Sequence, residues 1–104
     1  MSEVAAWGVQ AYKEQDFDTA IRYLEQADRN DWNAQLYLAM SYSLAGQADH
    51  AQRVFFRIKS ECPEAETRSK AETAFFALRS HAREDAERQR LKEKKEREEE
   101  EIQF

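Results

Sequence analysis

The sequence predicts an all-α fold, and three of its features support this prediction. The 104 residues include only two glycines and one proline, so few residues favour turns or end helices. Charged residues make up 36% of the chain, as expected for helices with solvent-exposed faces. Apolar residues recur every three or four positions, which is the spacing of one helix face. We therefore expect helices joined by short turns, and no β-strands.

The first two helices are predicted to form a hairpin. The first extends from about residue 2 to residue 14, and its apolar face consists of Val4, Trp7, Gly8 and Ala11. Asp16, in the turn after Gln15, can accept hydrogen bonds from the free amides of a second helix that ends near residue 28. The apolar stripe of this second helix consists of Phe17, Ala20, Ile21, Leu24 and Ala27. Close packing requires small residues opposite large ones, so we expect Gly8 and Ala20 to make room for Trp7 and Leu24.

The same order of residues then occurs a second time. A third helix carries Leu38, Ala39 and Tyr42 on one face, and Gly46 separates it from a fourth helix that stops near Pro63. The apolar residues of the fourth helix are Ala51, Phe55 and Ile58. In both copies, small and large residues alternate in the same way around a short break.

This pattern resembles the tetratricopeptide repeat over about residues 2–63, with an extension around Ala71, Ala74, Phe75 and Leu78. The resemblance implies antiparallel helix hairpins stacked as a short solenoid. Two features depart from the family pattern. Ala20 and Ala51 are 31 residues apart, where the family uses about 34, and Trp32 stands about where the first copy would have its proline.

The C-terminal part of the sequence predicts a long charged helix. Pro63 fits the first turn of a helix, and no glycine or proline occurs from residue 79 to residue 104. Ala82, Ala86 and Leu91 are too widely spaced for a coiled-coil seam. We therefore divide the chain into a repeat domain, residues 1–81, and a charged helical tail, residues 82–104. The tail is either a solvated spacer or an arm for docking or assembly.

Charge and residue content argue against several functions. The net charge of −5 gives no general attraction to nucleic acid or anionic lipid, so we expect neither as a partner. The first residues lack a signal-peptide pattern and no stretch could span a bilayer, which favours a cytoplasmic location. Cys62 is the only cysteine, and His50 and His81 are isolated. We therefore expect no metal site, no cofactor and no enzyme activity.

The resemblance implies a binding function. In this family, the first helix of each pair lines a concave groove that holds a peptide or helix of a partner protein. The matching positions are Ala5, Val9, Tyr12, Leu36, Met40, Ser43 and Leu44. Some relatives bind acidic C-termini of chaperones through lysine, asparagine and arginine, but the corresponding Ala5, Val9 and Met40 cannot hold a carboxylate. We therefore expect an adaptor or small chaperone that binds an apolar segment of another protein.

Two alternatives to this groove remain open. Residues 32–48 contain no charge, so their helix could be buried on every side, with Leu36, Met40 and Leu44 in the core. The second alternative is a structural role in a homo-oligomer. Stacked repeats usually need about three units, and this chain has two repeats and one further helix. Association would then occur through the long helix or through the end of the stack, at Phe75, Phe76 and Leu78.

Overall fold

Five α-helices form the described part of the chain. In a computed structural model of the protein, the backbone is described for residues 2–102 and the side chains for residues 2–79 and 87–94. The helices are α1 (Glu3–Lys13), α2 (Phe17–Leu24), α3 (Trp32–Leu44), α4 (Ala48–Glu61) and α5 (Ala65–Ile102). No strand occurs in this part of the chain, so the prediction of an all-α fold is confirmed.

Polar side chains cap the first three helices. Ser2 Oγ accepts a hydrogen bond from the Ala5 amide at 3.3 Å, and Asp31 Oδ1 accepts one from the Ala34 amide at 3.2 Å. Asp16 Oδ1 accepts one from the Thr19 amide at 3.3 Å, as predicted from the sequence. These bonds satisfy amides that have no partner inside a helix. The caps therefore define where α1, α2 and α3 begin.

The helices pack as a stack of hairpins. α1 packs against α2, and α3 against α4, while α3 also contacts α1, α2 and α5. α1, α3 and α5, the first helix of each unit, therefore lie side by side. This arrangement confirms the predicted stack of antiparallel hairpins. α2 ends at Leu24 rather than near residue 28, because the amides of Gln26 and Ala27 bond to carbonyls three residues back and tighten the chain.

The contact between α1 and α2 differs in one respect from the prediction. Gly8 lies directly against Leu24, which is fully buried, as expected. Trp7 is 53% exposed, and its ring packs against that of Tyr23 in α2, with 5.7 Å between centroids. Trp7 therefore contributes at the edge of the contact, where the sequence predicted that it would help to fill the middle. α1 is covered by both α2 and α3, so its buried face is centred on Ala5, Gly8 and Ala11 and Trp7 lies outside it.

α3 is the most enclosed helix, because it contacts each of the other four helices. Seven of its 13 residues are buried: Ala34, Gln35, Leu36, Leu38, Ala39, Ser41 and Tyr42. The polar groups among them have partners. Ser41 donates to the Tyr37 carbonyl at 2.8 Å, and the Tyr42 hydroxyl donates to Glu25 Oε1 at 2.5 Å. Burial, together with this bond and the charge of Glu25, raises the pKa of Tyr42 to about 12.

The connection from α4 to α5 places the last helix on the stack. Cys62 is buried, and its backbone is extended, which is usual for a residue before proline. α5 begins at Ala65, so Pro63 precedes this helix instead of lying in its first turn as predicted. Arg68 donates to the Cys62 carbonyl at 2.6 Å and ties α5 to the end of α4.

The expected domain boundary at residue 81 falls inside α5. That boundary and the charged tail stay predictions, since the side chains of residues 80–86 and 95–104 lie outside the described ones.

Candidate functional site

The predicted groove positions divide into buried and accessible residues. Ala5 and Leu36 belong to the core, with 0% and 7% of their surface exposed. Leu44 is 38% exposed, and the remaining positions are half-buried. We call the accessible set the α1–α3 face, which consists of Val9, Tyr12, Met40, Ser43 and Leu44. Leu36 and Ala5 lie beneath this face and have almost no surface for a partner to contact.

The second question about α3 is whether it is buried on every side, with all its apolar residues in the core, as one alternative from the sequence proposed. That alternative holds for Leu36, which is buried, and does not hold for Leu44, which is exposed. Met40 lies between these cases and is half-buried. α3 therefore contributes to both the core and the surface, because its contacts with α1 and α5 leave one side uncovered.

Tyr12 links the two helices of the α1–α3 face. Its hydroxyl donates to Met40 Sδ at 3.9 Å, and its ring contacts the edge of Tyr37 with 5.2 Å between centroids. Its ring also packs near Phe17, with centroids 5.8 Å apart. Burial raises the pKa of the Tyr12 hydroxyl, and the neighbouring Tyr37 adds to the shift. The Tyr12 side chain is therefore held in place and uncharged at neutral pH.

A second apolar surface lies between α4 and α5. We call it the α4–α5 cleft; it has a volume of about 90 Å³ and is lined by Phe55, Phe56, Lys59, Ala71, Glu72, Phe75 and Phe76. Phe55 and Phe75 form its inner part, with ring centroids 5.5 Å apart. Phe56 and Phe76 lie at its opening and are 54% and 56% exposed.

The cleft includes only part of the set predicted for self-association. Phe75 and Phe76 line it, whereas Leu78 is half-buried and does not. Phe56 was not predicted from the sequence, although two adjacent phenylalanines on one helix indicate that one of them is more exposed. The side chains of adjacent helix residues point about 100° apart. When a helix is buried on one side, its neighbours therefore cannot cover both rings equally.

The described side chains were also searched for groups that could bind a metal ion. No group of three histidine, cysteine, aspartate or glutamate residues among them could hold a metal ion. His50 is exposed on α4, as predicted, with its ring 5.2 Å from that of Tyr42, while the side chain of His81 is outside the described set. Among the described residues, none of the helices combines the length and the apolar character that crossing a bilayer requires.

Comparison with known proteins supports the repeat pattern. The sequence profile of the tetratricopeptide repeat matches residues 11–68, which is more than half of the chain. The match begins within α1, includes all of α2, α3 and α4, and ends in the first turns of α5. No curated protein and no solved structure gives a significant match. Repeats of this kind generally mediate protein–protein interaction and are not catalytic. The chain therefore belongs to the tetratricopeptide repeat family.

Proposed function

We propose that this protein is a non-catalytic adaptor or small chaperone whose α1–α3 face binds an apolar helix or extended segment of a partner protein. One observation carries the proposal. Val9 and Tyr12 on α1, and Met40 and Leu44 on α3, are uncharged and keep part of their surface exposed, and Tyr12 contacts Met40. Such a surface favours an apolar ligand and provides no cation for a carboxylate.

The size and chemistry of this face fit a moderate affinity. Burying two or three apolar side chains contributes about 1.5 to 3 kcal/mol each, before the cost of ordering the complex is subtracted. The total of about 3 to 9 kcal/mol is an upper limit, so we expect a dissociation constant of about 1 μM or weaker. Met40 adds adaptability, since its flexible thioether can pack against ligands of different shapes. An adaptor or chaperone that accepts related apolar segments would use such a contact.

The proposal is tested by comparing two exposed leucines. Leu44→Glu places a charge on the α1–α3 face, whereas Leu91→Glu makes the same change on α5, where Leu91 is 67% exposed. Both variants are first checked for wild-type helicity and melting temperature. Proteins captured from the source cell by the wild type are then identified, and the affinity of each purified partner is measured for all three chains.

We expect Leu44→Glu, and likewise Val9→Glu and Met40→Glu, to lose partners that Leu91→Glu keeps. The expected loss in affinity is at least about tenfold, because the partner would have to bury an unpaired charge. Folded Leu44→Glu and Met40→Glu variants that keep wild-type affinity for every partner would show that the face is not the binding site. The cytoplasmic location and the lack of nucleic-acid partners stay predictions.

A further inference from the structure

We propose that a second copy of this chain occupies the α4–α5 cleft, so that two copies form a two-fold symmetric dimer. In this dimer, Phe56 and Phe76 of each copy pack into the cleft of the other. The surface is separate from the α1–α3 face, and the inference does not depend on the proposed partner binding.

The cleft lies where the stack of hairpins is incomplete. α1 is paired with α2, and α3 with α4, but among the described residues α5 contacts only α3 and α4. The side of α5 where the second helix of a third hairpin would pack is therefore uncovered. Phe76 lines the cleft on its α5 wall, and Phe56 lines it on its α4 wall. Two half-exposed phenylalanines next to each other mark a surface that gains from being covered.

The described part of the tail, residues 87–94, does not provide the cover. α5 continues as one helix beyond Phe76, so Leu91 lies about 22 Å further along the helix axis. Residues 87–94 are all exposed, and Leu91 is the only apolar residue among them. A helix that fills an apolar cleft needs apolar residues three or four positions apart. The described part of the tail lacks this pattern.

The charges at the cleft favour a second copy over an unrelated helix. Lys59 stands on the α4 wall and Glu72 on the α5 wall. Neither belongs to the two ion pairs found among the described side chains, which join Arg57 to Glu61 and Lys70 to Glu66. A two-fold axis that runs along the cleft places the α4 wall of one copy opposite the α5 wall of the other. Lys59 of each copy then faces Glu72 of the other, so the surface is complementary to itself.

The first test is the oligomeric state of the full chain. Sedimentation is measured from about 1 μM to about 1 mM for the wild type and for Phe56→Glu, Phe76→Glu and Trp7→Glu. Trp7 is a matched control, because it is also an aromatic residue, is 53% exposed and lies at the other end of the stack. We expect a dimer for the wild type and Trp7→Glu, and a monomer for the two phenylalanine variants. All four chains are compared by circular dichroism to show that they remain folded.

The second test reverses the charges. Lys59→Glu alone and Glu72→Lys alone should each raise the dimer dissociation constant by at least about tenfold, since like charges would then face each other. The double variant Lys59→Glu/Glu72→Lys should recover most of the affinity. A double variant that dimerises as weakly as the single variants would overturn the two-fold arrangement.

Two results of the sedimentation test would contradict the dimer. Loss of the dimer in Trp7→Glu would indicate head-to-tail association instead. A wild type that is monomeric at every concentration would leave the cleft to a helix of another protein. Either result would overturn the proposal.

Discussion

Gly8 sets how closely α1 and α2 approach. A Cβ atom at this position would lie 2.5 Å from Leu24 Cγ, 2.7 Å from Leu24 Cδ2 and 3.3 Å from the Leu24 backbone nitrogen. Leu24 has no exposed surface, so its side chain cannot move aside without displacing the core. Glycine is therefore required here for space, although it weakens the helix in which it lies.

We expect Gly8→Ala to lower the free energy of unfolding by about 1 to 3 kcal/mol, because overpacking exceeds the gain of about 1 kcal/mol in helix propensity. Urea unfolding measures the effect. Ala6→Leu on the exposed side of α1 is the control and should change stability little. Adding Leu24→Ala to Gly8→Ala should cost less than the sum of the single changes, since the truncation makes room. Wild-type stability of Gly8→Ala would contradict the close contact.

Gln15 and Gly46 occupy the same place in the two hairpins. Both have a left-handed backbone, with φ of 65° and 83°. In each turn the following amide bonds back into the preceding helix: Asp16 to the Ala11 carbonyl at 2.9 Å, and Gln47 to the Tyr42 carbonyl at 2.8 Å. This is the common helix ending in which glycine is usual, so Gln15 is strained where Gly46 is not.

We expect Gln15→Gly to raise the free energy of unfolding by about 0.5 to 1 kcal/mol, because glycine adopts this backbone conformation without strain. Gly46→Ala is the reciprocal change and should lower it by about 1 kcal/mol. A Cβ on Gly46 would have no atom within 4 Å, so its effect is conformational only. Thermal melting of the two variants measures both shifts, and a lower melting temperature for Gln15→Gly would disprove the equivalence of the turns.

At the scale of elements, α5 has two parts with different environments. Its first part covers the core, with Ala71 buried and Phe75 packed against Phe55. Residues 87–94, in its second part, are all exposed. Apolar burial, and therefore most of the stabilising free energy, is concentrated before residue 80 among the described side chains.

We expect a chain ending at residue 81 to keep its cooperative melting transition, because it retains the contacts of Ala71 and Phe75. A chain ending at residue 64 should lose it, since Phe55 and Ile58 would become exposed to water. Circular dichroism during heating distinguishes the two. Loss of cooperativity in the longer chain would show that the tail packs on the stack, and full stability of the shorter chain would show that α5 is dispensable.

At the scale of the whole molecule, the two apolar surfaces are formed by different pairs of helices. The α1–α3 face lies on the first helices of the two hairpins, and the α4–α5 cleft lies at the end of the stack. We expect Leu44→Glu to leave the dimer unchanged, and Phe76→Glu to keep the wild-type affinity for partners. Sedimentation and binding measurements on both variants check this. If Phe76→Glu lost both properties, the surfaces would be coupled and partner binding would require the dimer.

Local features of the sequence were enough to predict the helices, their order and their pairing. Helical periodicity, the cap at Asp16 and the breaks at Gln15 and Gly46 are local properties, so they can be identified without knowing what the helices touch. The contact of Gly8 with Leu24 was also predictable, because a short turn between two helices leaves little freedom in how they meet.

Which residues are exposed depends on how the helices pack against one another. Ala5 and Leu36 matched groove positions but lie in the core, while Trp7 was expected to help fill the contact between α1 and α2 and is half-exposed. Phe55 and Phe56 are adjacent, yet only Phe55 is buried, because α5 crosses α4 on one side. The apolar stripe of a helix indicates which side of the helix is buried. It locates the centre of that buried side only to within about 100°, the angle between adjacent residues. The packing of the neighbouring helices sets that centre, and with it the α1–α3 face and the α4–α5 cleft.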